Sequence, residues 1–562
     1  MSQTEVRTQL SKAFRLHGLS LHPEATRTIL AAMEHSGQAA VNPAQVIDRL
    51  VEAVLRLPLN SCHVQRSEIE SLVAEQLLSG TAAAAAAIAA DSPWLQVFDA
   101  FDTAAPNFRY DRDSRKLAPA PALPRPTSGS ESGAESRVQL MRQRYEFLLQ
   151  RLMRAPGFAD CDPLTVGVGG VTGGVSGVIG GSIGKSSGGA LRTVEFAKAS
   201  GPDKQLVVLG MLTRSAEPNR WFLEDPTGVM LLDVSRCRFN DGILAEGCHV
   251  LAEGCYRQSE ASFLMLEAGL PPAERPTDTR AALGSLNTFG GPATTCARLD
   301  ARLGERERSS HAHYLVFVSD LWLDDSGVMS KLSLMLTGYS DSPPTGLILC
   351  GDFLSPVGRH APDRVEQLRT GLRRLQALID SCKPVQQHST VVLIPGPSDC
   401  PLSPLLPYPP LSEAVAGDLG QQQQQRGGGR VVLGSNPCRL QFCTQEIVVY
   451  RQQLCEKLCR QALSCPAEDD ELSGHFVRTV LSQSHLSPLP LHVSPVLWNL
   501  DRTLRLCPLP DLLVLADSAC RHFQLRHADC LCVNPGCFKE SGFSFHVYLP
   551  RRREIQSSCI AD

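Results

Sequence analysis

Three apolar runs, each closing on an aspartate beside a turn, constrain this 562-residue chain more than any other feature. They read Phe-Val-Ser-Asp-Leu-Trp (317–322), Leu-Ile-Leu-Cys-Gly-Asp-Phe-Leu-Ser (347–355) and Val-Val-Leu-Ile-Pro-Gly-Pro-Ser-Asp (391–399). Runs of leucine and β-branched residues without polar alternation are the pattern of parallel strands buried on both faces. Such strands deliver the residues after them to the carboxyl edge of an α/β sheet, where chemistry usually sits. The chain is therefore expected to gather Asp320, Asp352 and Asp399 at one sheet edge.

The order and spacing of these loops resemble the two-metal phosphoesterases of the calcineurin type, which place Asp-x-His, Gly-Asp-x-x-Asp and Gly-Asn-His-Asp or Glu after successive strands. Two metals a few ångströms apart need several oxygen and imidazole ligands and a bridging carboxylate. Here the aspartates remain and their companions do not. Trp322 stands where the histidine belongs, Ser355 replaces the second carboxylate, and Pro397 and Ser398 replace the asparagine and histidine before Asp399. A late Gly-His-x-His motif is absent, and His485 and His492, near Pro488 and Pro490, are expected in a loop and satisfied by the core rather than as ligands. The reading is that Asp320, Trp322, Asp352, Ser355, Pro397, Ser398 and Asp399 mark a vestigial metal site, with no catalytic, metal-binding or cofactor-binding residue. On this reading the carboxylates cap turns and accept from backbone amides.

Length implies several domains. The amphipathic spacing of Leu10, Phe14 and Leu16, then Ala25, Ile29, Ala32 and Met33, then Val46, Ile47, Leu50, Val51 and Val54 predicts an N-terminal helical bundle over 1–80. A linker with a helical segment and low-complexity inserts is expected over 81–190. It includes the alanine run 81–90, the Pro/Ser/Gly/Ala-rich stretch 114–135, a helix from Val138 to Met153, and the glycine-rich insert 167–189. That insert ends Gly184-Lys185-Ser186, yet a phosphate loop needs glycine at 179, where Ile179 stands. Short strands at Leu206–Thr213, Trp221–Glu224, Val229–Val234, Cys248–Cys255 and Phe263–Glu267 predict an oligonucleotide-binding (OB) type β-barrel over 191–287. Strand and helix then alternate over 288–555, interrupted by the glutamine- and glycine-rich loop 421–429. The whole is a multidomain α+β chain.

Charge and cysteine usage narrow the function. A formal net charge of −4 gives no footprint for wrapping nucleic acid, and the barrel segment offers few aromatic platforms for single strands. The first nineteen residues lack the apolar run of a secretory signal, so the twenty cysteines are expected as free thiols in a reducing compartment. The spacings within Cys455/Cys459 and Cys530/Cys532/Cys537 fit no zinc knuckle. No run approaches a membrane span. His311 and His313 are expected to be exposed before the strand at 314, and Arg551 to Arg553 to form a solvated tail.

Many motifs in fixed order carry a closer resemblance. They include Phe-Leu-Glu-Asp-Pro-Thr-Gly (222–228), Val-Leu-Ala-Glu-Gly (250–254), Phe-Gly-Gly-Pro (289–292), Phe-Val-Ser-Asp-Leu-Trp-Leu-Asp (317–324) and Ile-Leu-Cys-Gly-Asp-Phe (348–353). Further on stand Ile-Pro-Gly-Pro-Ser-Asp (394–399), Ser-Asn-Pro-Cys-Arg (435–439), Pro-Asp-Leu-Leu-Val-Leu-Ala-Asp (510–517) and Cys-Val-Asn-Pro-Gly (532–536). In this order they resemble the B-subunits of eukaryotic replicative DNA polymerases, most closely the epsilon branch, over roughly 200–550. The resemblance implies an OB barrel and an inactivated calcineurin-like phosphoesterase domain that together bind the zinc-bearing C-terminal domain of the catalytic subunit. It implies an N-terminal domain like the lid of an AAA+ ATPase, docking on the GINS/CMG helicase, with histone-fold small subunits in the same complex. DNA contact would be indirect, the location nuclear, and the role that of a non-catalytic scaffold in replication and repair. A residual metal-dependent phosphodiesterase and a single-strand DNA binder acting through the barrel are the alternatives.

Overall fold

The computed structural model describes residues 191–561 almost throughout, apart from 202–203, 216, 218–219, 292, 294, 311, 400–403, 418, 420–429 and 466–471. Before residue 191 it describes 12–14, 20–22, 25–26, 29, 54, 63–64, 93–101, 108–111, 114–119, 133–155 and 158. The chain divides into two compact units, Met1–Trp94 and Leu95–Asp562.

In the first unit, Phe14, Ala25, Ile29 and Val54, four of the residues expected on apolar helix faces, are buried. Strand β1 (Ser20–Leu21) pairs in parallel with β2 (His63–Val64), a pairing that helical periodicity does not signal. The other apolar positions named for the bundle, Leu10, Leu16, Ala32, Met33, Val46, Ile47, Leu50 and Val51, and the alanine run lie outside the described residues.

The second unit begins with β3 (Leu95–Phe98), then the antiparallel pair β4 (Phe108–Asp111) and β5 (Lys116–Pro119), and the long helix α1 (Gly133–Leu152). The segment read as linker therefore supplies structure: residues 116–119 close a hairpin and α1 starts earlier than the apolar spacing indicates. Tyr145, Leu149 and Leu152 of α1 pack with Phe158, Leu191, Val207, Leu209 and Leu251, which fixes the helix to the barrel.

The barrel follows. Strand β6 (Leu191–Arg192) pairs beside β7 (Leu206–Arg214), after helix α2 (Val194–Ala199). Then come β8 (Trp221–Asp225), β9 (Gly228–Asp233), β10 (Arg238–Phe239), β11 (Leu244–Ala245), β12 (His249–Arg257) and β13 (Ser262–Gly269). The order β13-β12-β7-β8-β9 closes on itself because β13 also pairs with β9. The turn between β8 and β9 forms because Asp225 Oδ1 accepts from the backbone N–H groups of Thr227 (2.8 Å) and Gly228 (3.1 Å). Its Oδ2 accepts from Val194 N (2.8 Å), holding the first turn of α2. Gly254 is required where β12 crosses β13, since a Cβ there would overlap Leu264 O.

The remaining chain builds two mixed six-stranded sheets. After helix α3 (Ala301–Ser309), the first contains β14 (Leu315–Val318), β15 (Gly346–Cys350) and β16 (Thr390–Ile394), all parallel and almost wholly apolar. Helices α4 (Ser326–Gly338) and α6 (Arg364–Ser381) cover one face of it, and the four-residue α5 (Pro356–Arg359) lies between them in sequence. Strand β17 (Arg430–Leu433) adds to one side, and β24 (Ser544–Leu549) with β25 (Glu554–Cys559) to the other. The second sheet runs β22 (Phe523–His527), β23 (Cys530–Asn534), β21 (Leu512–Ala516), β19 (Gln445–Arg451), β18 (Cys438–Phe442), β3. Thus β3, from the expected linker, belongs to this sheet. Between β19 and β21 run α7 (Leu454–Arg460), β20 (Ala462–Ser464) and α8 (Leu472–Gln483). The two sheets touch through polar contacts as well as apolar ones: Tyr548 Oη of β24 donates to Gln445 Oε1 of β19 at 2.6 Å.

Two expectations are corrected. Arg551 to Arg553 form the turn between β24 and β25, where Arg553 pairs with Asp511 (3.2 Å) and Glu307 (3.4 Å), so they are not a tail. His313 is half-buried with Nδ1 at 2.8 Å from Thr345 Oγ1; His311 lies outside the described residues.

Candidate functional site: carboxylates held by two guanidinium groups

Because β14, β15 and β16 are adjacent and parallel, the loops after them meet, as the three apolar runs predict. Asp320 adopts a φ of 54°, a left-handed conformation that aspartate tolerates better than most residues. Its amide donates toward Gly351 O (3.4 Å), and Leu323 N donates to Phe353 O (2.8 Å), so the loops after β14 and β15 run side by side. Asp320, Asp352 and Asp399 are each at most 4% exposed.

Two glycines let the carboxylates approach. A Cβ at Gly351 would overlap Asp399 Oδ2, and one at Gly396 would overlap Asp352 Oδ1 and its amide nitrogen. The Gly-Asp and Pro-Gly-Pro elements of the sequence are thus steric requirements of the cluster.

What fills the space among the carboxylates is positive charge from the chain itself. Arg451, the last residue of β19, is fully buried and places Nη2 at 2.6 Å from Asp320 Oδ1 and 3.4 Å from Asp352 Oδ2. Its Nε donates to Gly351 O (2.5 Å) and Nη1 to Ala516 O (3.3 Å). One guanidinium therefore joins the turn after β15 in the first sheet to the ends of β19 and β21 in the second. Arg359, at the end of α5, adds Nη1 at 3.1 Å from Asp352 Oδ2 and Nη2 at 3.5 Å from Asp320 Oδ1. Asn436 completes the frame, with Nδ2 donating to Pro395 O (2.9 Å) and Arg451 O (2.7 Å).

Asp399 is held differently. Its Oδ1 accepts from Phe353 N (2.9 Å) and its Oδ2 from Gly396 N (2.8 Å). Asp352 Oδ1 similarly accepts from Ser398 N (2.9 Å). The expected backbone-amide role thus describes Asp399 and part of Asp352, whereas Asp320 is held by guanidinium groups. Ser355 caps α5: its Oγ accepts from Gly358 N (3.2 Å) and donates to Asp324 Oδ2 (2.6 Å). Trp322 is buried in the apolar cluster with Val318, Leu321 and Phe353, and Lys539 Nζ lies 5.9 Å from its ring centroid. Pro397 occupies the turn before Ser398, half-buried.

The electrostatics follow from this geometry. Burial pushes the Asp320 carboxyl up, with Arg451 pulling against it and Asp352 adding to the rise. Asp399 is pushed up to about 8, by burial and then by the Asp352 charge, against the pull of its two amide donors. Burial alone would lower Arg451, but Asp320, Asp352 and Asp517 outweigh it and hold the guanidinium well above its usual range. An assembly of this kind presents hydrogen-bonded charges to one another rather than open coordination positions to a ligand. Among the described residues, no group of three or more His, Cys, Asp or Glu side chains is placed to hold a metal ion.

Sequence reading missed Arg451 and Arg359. The first ends a strand, Gln-Glu-Ile-Val-Val-Tyr-Arg, whose seven residues are all buried, and a cation closing such a strand is the signal that could have found it. The two histidines near Pro488 and Pro490 part company: His492 is exposed, while His485 is buried 3.2 Å from Asp501 Oδ1.

Three family profiles match this chain. That of the B-subunits of DNA polymerases alpha and epsilon covers residues 315–525, "DNA polymerase epsilon subunit 2-like, OB-fold domain" covers 134–272, and "DNA polymerases epsilon N terminal" covers 2–76. Among similar proteins, DNA polymerase epsilon subunit 2 of Bos taurus is 36% identical over 563 residues, with 99% of each chain covered. That of Homo sapiens is 35% identical with the same coverage. That of Drosophila melanogaster is 34% identical over 504 residues, covering 89% of this chain and 88% of the fly protein.

Proposed function

The chain belongs to the family of DNA polymerase epsilon B-subunits, and on that premise we propose that it is a non-catalytic scaffold subunit of the epsilon replication polymerase in the nucleus. The observation that carries this reading is the placement of Arg451 and Arg359 among Asp320 and Asp352. Two guanidinium groups there supply the positive charge that metal ions would supply in a phosphoesterase, but they cannot activate water or polarise a phosphoryl oxygen as a Lewis acid. They instead fix the carboxyl ends of two sheets to each other, which rigidifies a surface without doing chemistry on it. The seven residues Asp320, Trp322, Asp352, Ser355, Pro397, Ser398 and Asp399 are on this account the remains of a metal site, and the α/β body is an inactivated calcineurin-like phosphoesterase domain.

In this role the barrel and the α/β body hold the zinc-bearing C-terminal domain of the catalytic subunit. The N-terminal unit connects the polymerase to the GINS/CMG helicase, and histone-fold subunits share the complex. Three of the barrel's aromatics, Trp221, Tyr256 and Phe263, are buried within it, and the single exposed ring on its described strands, Phe239, is not the row of platforms that single-strand stacking uses, which favours scaffolding. The test is co-expression with a polymerase epsilon catalytic subunit. A stable complex, combined with no Mn2+-dependent hydrolysis of a generic phosphodiester by the purified chain, is expected. Failure to co-purify, or turnover abolished by Asp320→Ala and Asp352→Ala, would overturn the reading.

A further inference from the structure

Away from the carboxylate cluster, four thiols converge where the α/β body meets the barrel. Cys455 and Cys459 lie on α7, Cys465 follows β20, and Cys520 follows β21. Cys455 lies close enough to Cys459 and Cys520 to bear on the protonation of both, and Ser473 Oγ stands 3.7 Å from Cys520 Sγ. The outermost pair, Cys459 and Cys465, has its sulfurs 3.7 Å apart; Cys459 is half-buried and Cys465 exposed.

We propose that Cys459 and Cys465 form a reversible intramolecular disulfide on exposure to a low-molecular-weight disulfide, and that this bond rigidifies β20, the strand by which the α/β body pairs with β11 at the barrel. The bond falls on a short junction. Strand β20 lies between the two cysteines and pairs antiparallel with β11, Ser464 opposite Leu244 and Ala462 opposite Ala245. The other end of α7 is already anchored, because Asp517 Oδ2 accepts from Leu454 N and Cys455 N at 2.8 Å each. A disulfide needs its sulfurs at about 2.05 Å, and exposure leaves the Cys465 side chain free to turn toward Cys459. Closing the ring would therefore fix a three-residue strand at both ends.

The chemistry balances as two thiol–disulfide exchanges. Its neighbour Cys455, and then the hydrogen bond from Cys465, lower the Cys459 thiol against burial and the charges of Asp517 and Glu456, so it is the first nucleophile. Its thiolate attacks one sulfur of the oxidant, forming a mixed disulfide and releasing one thiolate. Cys465 is raised to about 11 by partial burial and then by the charge on Cys459, and that second cause vanishes once Cys459 is capped. The Cys465 thiolate then attacks the Cys459 sulfur and expels the second thiolate. Two protein thiols are oxidised, one small disulfide is reduced to two thiols, and the two protons lost by the cysteines are taken up by the released thiolates.

The experiment incubates the full chain with oxidised glutathione and maps the thiols by alkylation and mass spectrometry, with amide hydrogen exchange read on the same samples. Expected are a Cys459–Cys465 linked peptide, reversed by dithiothreitol, and exchange of the Ala462–Ser464 amides slowed by about tenfold. Cys465→Ser, at an exposed position, should fold normally, give only a mixed disulfide at Cys459, and leave exchange unchanged. Linkage of Cys455 to Cys459 or Cys520 instead, mixed disulfides alone in the wild-type chain, or unaltered exchange after linkage would each overturn the proposal.

Discussion

Arg451 Nη2 stands 2.6 Å from Asp320 Oδ1 with neither side chain more than 1% exposed, so a charge from the second sheet is neutralised by a carboxylate from the first. The pair is not an isolated bridge. Arg451 also donates to the carbonyls of Gly351 and Ala516, and Arg359 shares both of its carboxylate partners. Burying such charges costs several kcal/mol per ion, which only a fully satisfied network offsets. The network therefore acts as a specificity device: the loops after β14 and β15 and the ends of β19 and β21 fit together in one register or leave charge stranded.

Removing the cation tests this directly. Arg451→Met leaves Asp320 and Asp352 buried with only the more peripheral Arg359 beside them, and is expected to destabilise the α/β body by about 3–5 kcal/mol. Adding Asp320→Asn to that variant should recover part of the loss, because the stranded charge is removed. Urea denaturation followed by circular dichroism on the two variants checks both the size and the recovery; an additive loss would mean that the pair is not coupled.

The pH dependence of Asp399 carries a definite sign. Its folded pKa, about 8, lies above the ordinary carboxylate value of 3.8, so the folded state binds the proton more tightly. The stability this group contributes is fully present below about pH 4 and is lost as pH rises toward 8. Asp399→Asn does not titrate, so its stability relative to the parent chain should improve between pH 6 and pH 8.5, on top of a fixed cost from placing an amide group against two N–H donors. Thermal unfolding at the two pH values measures the difference, and a constant gap would contradict the assignment.

The close approach of backbone and carboxylate predicts a contrast between two glycines. Gly396→Ala puts a Cβ into the Asp352 backbone nitrogen and into Asp352 Oδ1, which is held by Ser398 N, and is expected to cost about 1–3 kcal/mol. Gly474, in α8, has no atom within 4 Å of the point an alanine methyl would occupy, so Gly474→Ala should stabilise by roughly 0.5–1 kcal/mol through helix propensity. Equilibrium denaturation of both variants reads the opposite signs.

Much of this site was legible from periodicity alone. Uninterrupted apolar runs identified β14, β15 and β16 as buried parallel strands, and the aspartates after them converge for that reason. The barrel strands followed from short runs separated by turn residues, of which Asp225-Pro-Thr-Gly228 is the clearest. Less was legible wherever a partner comes from distant sequence. Arg451 lies 131 residues from Asp320, and no local pattern pairs them. Strand β3 was hidden because four residues at the end of an alanine-rich stretch carry too little pattern to reveal that they pair with Cys438–Phe442. Helix α1 extends N-terminally beyond its apolar face, through residues whose composition resembles a linker.

A second buried ion cluster, around Asp501, likewise joins residues far apart in sequence. Arg144 of α1 places Nη2 at 2.5 Å from Asp501 Oδ1, with His485 Nε2 at 3.2 Å and Arg505 Nη2 3.9 Å from Oδ2. Burial alone would raise the Asp501 pKa, but Arg144 and then His485 outweigh it and hold the carboxyl far below its usual range. A depressed carboxylate contributes stability that is present above its unfolded pKa, near 4, and is lost as pH falls below it. Burial, the larger of the causes that lower His485, persists without Arg144, so His485 takes over only part of the counter-charge role. Arg144→Met should therefore cost about 3–5 kcal/mol at pH 7. It should also release α1, which is tied to the α/β body here and to the barrel through Tyr145 and Leu149, so limited proteolysis should cut within 133–152 faster than in the parent chain. Asp501→Asn should show a deficit at pH 7 that narrows toward pH 3.5, as the parent carboxylate loses its advantage. A deficit independent of pH in that variant would place the stabilisation in packing rather than in the charge pair.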